Sequence, residues 1–91
     1  MQLYFFDLIY LDSYASDVEG FELPDLNAAK REARQIILEL AADYIRAQRK
    51  LELCCVRICD ALREPLADVK TASVLTNFLP ANLLSFPGAD C

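Results

Sequence analysis

Ninety-one residues, 55% of them apolar and 25% charged, describe one small globular domain and exclude a disordered chain. The net charge is −5 and there is no histidine, which removes the commonest general base and the commonest zinc ligand together. The charge is segregated: residues 1–29 hold six acids and no base, residues 30–50 six bases and three acids, and the remainder three bases and five acids. An acidic first third beside a basic helix fits complementarity within or between copies better than a phosphate-binding surface.

Residues 3–10 are dense in aromatic and branched side chains and predict a strand. Asp7 marks the face carrying Leu3, Phe5 and Ile9 as the wetter one, so Tyr4, Phe6 and Leu8 are assigned to the core. Leu11–Ser13 turns the chain. A weak second strand is expected over about residues 14–17, continuing at Phe21–Leu23. Pro24 biases Leu23 toward an extended backbone and stops that strand. Asp25 is a good N-cap, although Ala28 stands where Glu or Gln would complete a capping box. From Leu26 to about Arg49, the residues Leu26, Ala29, Ala33, Ile36, Ile37, Leu40, Tyr44 and Ala47 form one apolar stripe at helical spacing. Arg46, Arg49 and Lys50 gather at its C-terminal end, where they complement the helix dipole.

Residues 53–59 read as a strand with Cys54, Val56 and Ile58 on one face and Arg57 on the other. Asp60–Arg63 turns the chain into a short edge strand over Pro65–Val69, where a proline at the start is tolerated. The expected fold is α+β: a two-layer ββαββ domain over residues 1–70, with a four-stranded, largely antiparallel sheet and one long amphipathic helix on one face. An apolar C-terminal tail follows over residues 71–91 and carries Val74, Leu75, Phe78, Leu79, Leu83, Leu84 and Phe86. One helix covers one sheet face, so the tail is expected on the other, in cis or across a homodimer. Leu3, Phe5, Ile9, Phe78, Leu79 and Phe86 are the candidate interaction surface.

Asp17, Glu19, Glu22 and Asp25 invite a calcium-loop reading, but the spacing fails. Counted from Asp17, Gly20 falls at position four instead of six, and Leu-Pro-Asp follows in place of a terminal glutamate. Asp17, Glu19, Gly20, Pro24 and Asp25 are therefore read as a structural joint, with Gly20 supplying a backbone position of positive φ. Tyr4-Phe5-Phe6 has the look of a base-stacking strand, yet the first 29 residues offer no basic surface, and the aromatics are assigned to the core. The cluster of Arg46, Arg49 and Lys50, with Arg57 or Arg63, is a candidate for binding a phosphate or an acidic partner. As a solvated helix end the cluster needs no such partner, and that reading is preferred.

Cys54, Cys55, Cys59 and Cys91 contain no C-x-x-C pair and are expected as reduced thiols. Without histidine a catalytic cysteine is not expected, and Cys59 beside Asp60 is in the wrong field. Asp7 with Glu19 as an acid–base pair is an arrangement almost any acidic sequence permits. No catalytic residue, metal or cofactor is assigned. Asp7 interrupts the N-terminal apolar run, which argues against a signal peptide, and Pro80, Pro87, Asn77 and Asn82 argue against a membrane helix in the uncharged stretch Thr71–Ala89. A cytoplasmic location and no membrane partner follow as expectations, and a protein partner or second copy is expected ahead of a nucleic acid.

Tyr4-Phe5-Phe6-Asp7, the run Asp17-x-Glu-Gly-x-Glu-Leu-Pro-Asp-Leu-x-Ala-Ala29, Glu32-Ala33 and Val56-x-Ile-x-Asp60 together resemble domain-of-unknown-function family 6894 over about residues 1–69. The resemblance implies the fold above and a bacterial cytosolic origin, and lends no catalytic residue. Members usually carry a glycine in each hairpin turn, where this chain has Leu11-Asp-Ser13 and Asp60-Ala-Leu-Arg63, and the tail goes beyond the usual pattern. The order of elements is also similar to that of HicB-type antitoxins, at the level of fold alone. The expected function is a non-enzymatic interaction or regulatory module that self-associates, with an antitoxin-like or nucleic-acid-associated regulator as the alternative.

Overall fold

The computed structural model describes residues 1–78 and 85–90. Its chain order is β1 (Gln2–Tyr10), β2 (Tyr14–Ala15), β3 (Phe21–Leu23), α1 (Leu26–Arg46), β4 (Leu53–Cys59), β5 (Pro65–Lys70) and α2 (Thr71–Leu75), then a 3-10 turn at Pro87–Asp90. This is the expected α+β arrangement. The second strand is broken in two, and both halves pair antiparallel with one edge of β1, β2 at Leu8–Ile9 and β3 at Gln2–Tyr4. The other edge of β1 pairs with β4, and β4 pairs with β5, both antiparallel.

Asp25 opens α1 as expected. Its backbone is extended and its carboxylate accepts from the Ala28 N–H at 2.8 Å. The buried residues of α1 are Ala28, Ala29, Ala33, Ile37 and Ala41, and the alanines let the helix backbone lie close to the sheet. α1 stops at Arg46, short of the expected Arg49. After the cap residue Ala47, Gln48 adopts φ 55; its N–H bonds the Ile45 carbonyl at 3.1 Å, and the Arg49 N–H bonds that of Tyr44 at 2.9 Å. These two bonds are a Schellman motif. The sequence hides it, because glutamine occupies the left-handed position where glycine is usual. Ala47 is turned out to solvent, and Ala41 joins the core stripe.

Tyr4 and Phe6 from β1 and Val56 and Ile58 from β4 meet the helix as assigned. One position differs. A register shift between Ile9 and Tyr10 pairs Tyr10 with Leu53, so Leu53 fills the core in place of Cys54. The described part of the tail also departs from expectation. Val74 and Leu75 of α2 join the core under α1, and Phe86 packs against it, so these residues lie on the helical side of the sheet and not on its open face. The small side chains of α1 leave room there that these larger ones fill. The Gly88 N–H donates to the Leu51 carbonyl at 3.1 Å, and a Cβ at Gly88 would meet the Leu53 carbonyl oxygen at 2.3 Å, so the 3-10 turn docks backbone to backbone. Leu79, Leu83 and Leu84 lie outside the described residues.

Thr71 is completely buried, and among the described residues its hydroxyl has no hydrogen-bond partner. Thr71→Val keeps the shape and removes the orphaned group. It is expected to raise stability by about 1–2 kcal/mol, read as a higher urea midpoint at unchanged slope.

Candidate functional site

The four carboxylates of the joint do not converge, and no group of three or more potential metal ligands forms among the described residues. Asp17 is instead a backbone hub. Oδ2 accepts from the Phe6 N–H at 3.0 Å, while Oδ1 accepts from the amides of Glu19 at 3.2 Å and Gly20 at 3.1 Å. The Asp17 N–H donates to Oδ1 of Asp7 at 3.0 Å, and its carbonyl accepts from the Arg63 guanidinium at 2.6 Å. Gly20 has φ 76, and an added Cβ would sit 2.9 Å from the Tyr4 carbonyl oxygen, so this turn tolerates glycine alone. Pro24 and Asp25 then carry the chain from β3 into α1, while Glu19 remains solvated.

The hub lies at one end of the sheet face that α1 leaves open. Strand pairing stacks that face in rows: Phe5 beside Cys59, then Asp7 beside Arg57 beside Asp68, then Ile9 beside Cys55 beside Lys70. The middle row is an ion-paired strip. Arg57 grips Asp68 with two hydrogen bonds, at 2.8 and 3.1 Å, and that grip holds the Asp68 carboxyl below its ordinary range. Leu3 and Ile9 are half-buried on either side of it. Phe5 is only 8% exposed because the Arg63 guanidinium lies 3.6 Å above its ring. Val18 and Leu62, next to the bonded pair Asp17 and Arg63, are 81% and 82% exposed.

The candidate surface is thus divided. Leu3 and Ile9 face the open side, Phe5 is roofed by Arg63, Phe78 is exposed, Phe86 packs against the core, and Leu79 lies outside the described residues. The apolar face expected from the alternation of β1 is therefore crossed by charge, which β1 alone announced only through Asp7.

Arg63 is the residue that sequence reading placed least well, as a turn or a basic-cluster member. It has φ 67, the glycine-type conformation, in a turn where the Asp60 carboxylate accepts from the Leu62 and Glu64 amides at 2.9 and 3.0 Å. Arginine therefore stands in a left-handed site of the kind that glycine ordinarily fills. In the first hairpin neither Leu11 nor Asp12 has positive φ, so no glycine is needed there. Arg63→Gly removes backbone strain of about 1–2 kcal/mol but loses the ring contact and the bond to Asp17, together about 1–2 kcal/mol. The expected net change in denaturation free energy is below about 1 kcal/mol, with Phe5 uncovered.

Cys55 and Cys59 are buried, free thiols on this face. Burial pushes both upward, reinforced by Asp68 at Cys55 and by Asp7 at Cys59, so both resist forming the nucleophilic thiolate. Cys54 is disulfide-bonded, which corrects the expectation of a reduced thiol at that position. No helix among the described residues is long and apolar enough to cross a membrane.

No curated protein and no solved structure matches this chain. A family model described as a domain of unknown function, DUF6894, matches residues 3–72, which contain the joint, both central strands and the long helix. With most of its length matched, the chain belongs to the DUF6894 family.

Proposed function

We propose that the protein is a small, non-enzymatic interaction module that associates with a second copy through the open face of its sheet. One observation carries the reading. Among the described residues the helices pack on one face of the sheet, while the other presents Leu3 and Ile9 beside an ion-paired strip, with the exposed Val18 and Leu62 next to the Asp17–Arg63 contact at its end. On association the apolar residues supply burial, and the paired charges of Arg57 and Asp68 fix register. The raised thiols favour a non-enzymatic role, because they are poor nucleophiles at neutral pH.

The test is mass by light scattering over a dilution series, on the full chain and on Ile9→Asp and Leu62→Asp. A species of twice the 10.3 kDa chain mass, dissociated in both variants with the far-ultraviolet circular dichroism unchanged, is the expected result. A monomer at every concentration overturns the reading, as does a dimer that neither substitution weakens.

A further inference from the structure

Three basic side chains of the candidate cluster are already engaged: Arg46 pairs with Asp43, Arg57 with Asp68, and Arg63 with Phe5 and the Asp17 carbonyl. Arg49 and Lys50 are in no ion pair among the described residues. The Schellman turn after α1 brings both back over the helix end, with Arg49 5.0 Å above the Tyr44 ring. Beneath them opens a cavity of about 200 Å³ walled by Ala41, Leu51, Leu75 and Phe86. A wetter outer cleft shares Tyr44, Arg49 and Lys50 with it and adds Tyr10 and Glu52.

We propose that this cavity binds a small amphipathic monoanion, a short-chain alkyl or single-ring aryl carboxylate, with its apolar part between α1 and the docked C-terminal turn and its carboxylate on Arg49 and Lys50. The size fits: cavities of roughly 150 Å³ take up a benzene ring, so this one holds a ring or a short chain and excludes a bulky lipid. The charge fits as well. The C-terminal end of a helix ordinarily disfavours anions, but the Asp43, Tyr44 and Ile45 carbonyls here are all bonded, by the amides of Ala47, Arg49 and Gln48. Glu52 across the outer cleft opposes a second negative charge, which favours a monoanion over a phosphate. Tyr10, whose hydroxyl is pushed upward by burial and by neighbouring Tyr44, stays neutral at the cleft and adds no negative charge there.

Titration of the full-length protein with octanoate and phenylacetate, followed by amide chemical shifts, tests the proposal, with octanol and acetate as controls. Saturable shifts confined to the end of α1, Leu51 and Phe86 are expected with both amphiphiles. In Arg49→Ala/Lys50→Ala, whose side chains are exposed, octanoate is expected to weaken about tenfold or more while octanol is unchanged. Equal binding of octanoate and octanol by the parent overturns the proposal. So does an unchanged affinity in the double variant, an absence of saturable shifts at millimolar octanoate, or binding to anionic phospholipid vesicles in place of the monomeric acids.

Discussion

Phe6→Ala is expected to destabilise the protein by about 4 kcal/mol, through lost burial and the cavity left behind. The ring is 4% exposed within the cluster formed by Tyr4, Ile37, Val56 and Ile58, and it meets Phe21 edge-on at 5.4 Å and 79°. That pair contributes about 0.5–1.5 kcal/mol beyond area alone. A chain of this length has a total stability of about 5–14 kcal/mol, so the variant stands near the limit of folding. Phe6→Leu keeps most of the volume and is expected to cost about 1 kcal/mol. Urea denaturation gives both values, and a double-mutant cycle with Phe21→Leu isolates the ring pair. A loss below about 1 kcal/mol in Phe6→Ala would place the ring outside the core and reopen the base-stacking reading of Tyr4-Phe5-Phe6.

The elements that could be read from sequence are those whose signal is local. Asp25 and Pro24 mark the start of α1 because capping and the pre-proline constraint act within a few residues. The core face of β1 follows from alternation around Asp7, since a strand has only two faces to choose between. What escaped depends on partners distant in the chain. Leu53 replaces Cys54 in the core because of a bulge opposite Ile9 and Tyr10, which neither strand's own pattern encodes. Arg63 covers Phe5 across a separation of 58 residues, and its left-handed backbone is invisible in a residue type that normally avoids it. The tail was apolar in either location. Only the room left by the alanines of α1 decides that Val74, Leu75 and Phe86 belong on the helical side.

Asp17→Ala is expected to cost about 3 kcal/mol, and the reason lies in the gap between β2 and β3. β3 pairs with β1 as far as Tyr4 and β2 resumes at Leu8, so the amide of Phe6 faces an edge with no strand opposite. Asp17 Oδ2 fills that gap at 3.0 Å, standing where a strand carbonyl would otherwise be. Hydrogen bonds to a charged acceptor are worth about 1.5–3 kcal/mol each, and leaving a part-buried amide unpaired adds a further desolvation cost. The Glu19 and Gly20 amides are nearer solvent, where water replaces much of what is lost, so three bonds do not sum to three full contributions. Asp17→Asn retains one accepting oxygen and is expected to cost about 1–2 kcal/mol. Hydrogen exchange separates the joint from the rest of the fold. In Asp17→Ala the Phe6 amide is expected to lose protection, while the amides of α1 keep theirs up to the global limit set by the lower stability. Asp25 caps that helix independently, at 2.8 Å, and sits beyond Pro24. A protected Phe6 amide with an unchanged urea midpoint would show that Gly20 and the strand pairs hold the joint without Asp17. Loss of α1 protection beyond the global limit would show that the two halves of the motif, the strand clamp at Asp17 and the helix cap at Asp25, act as one unit.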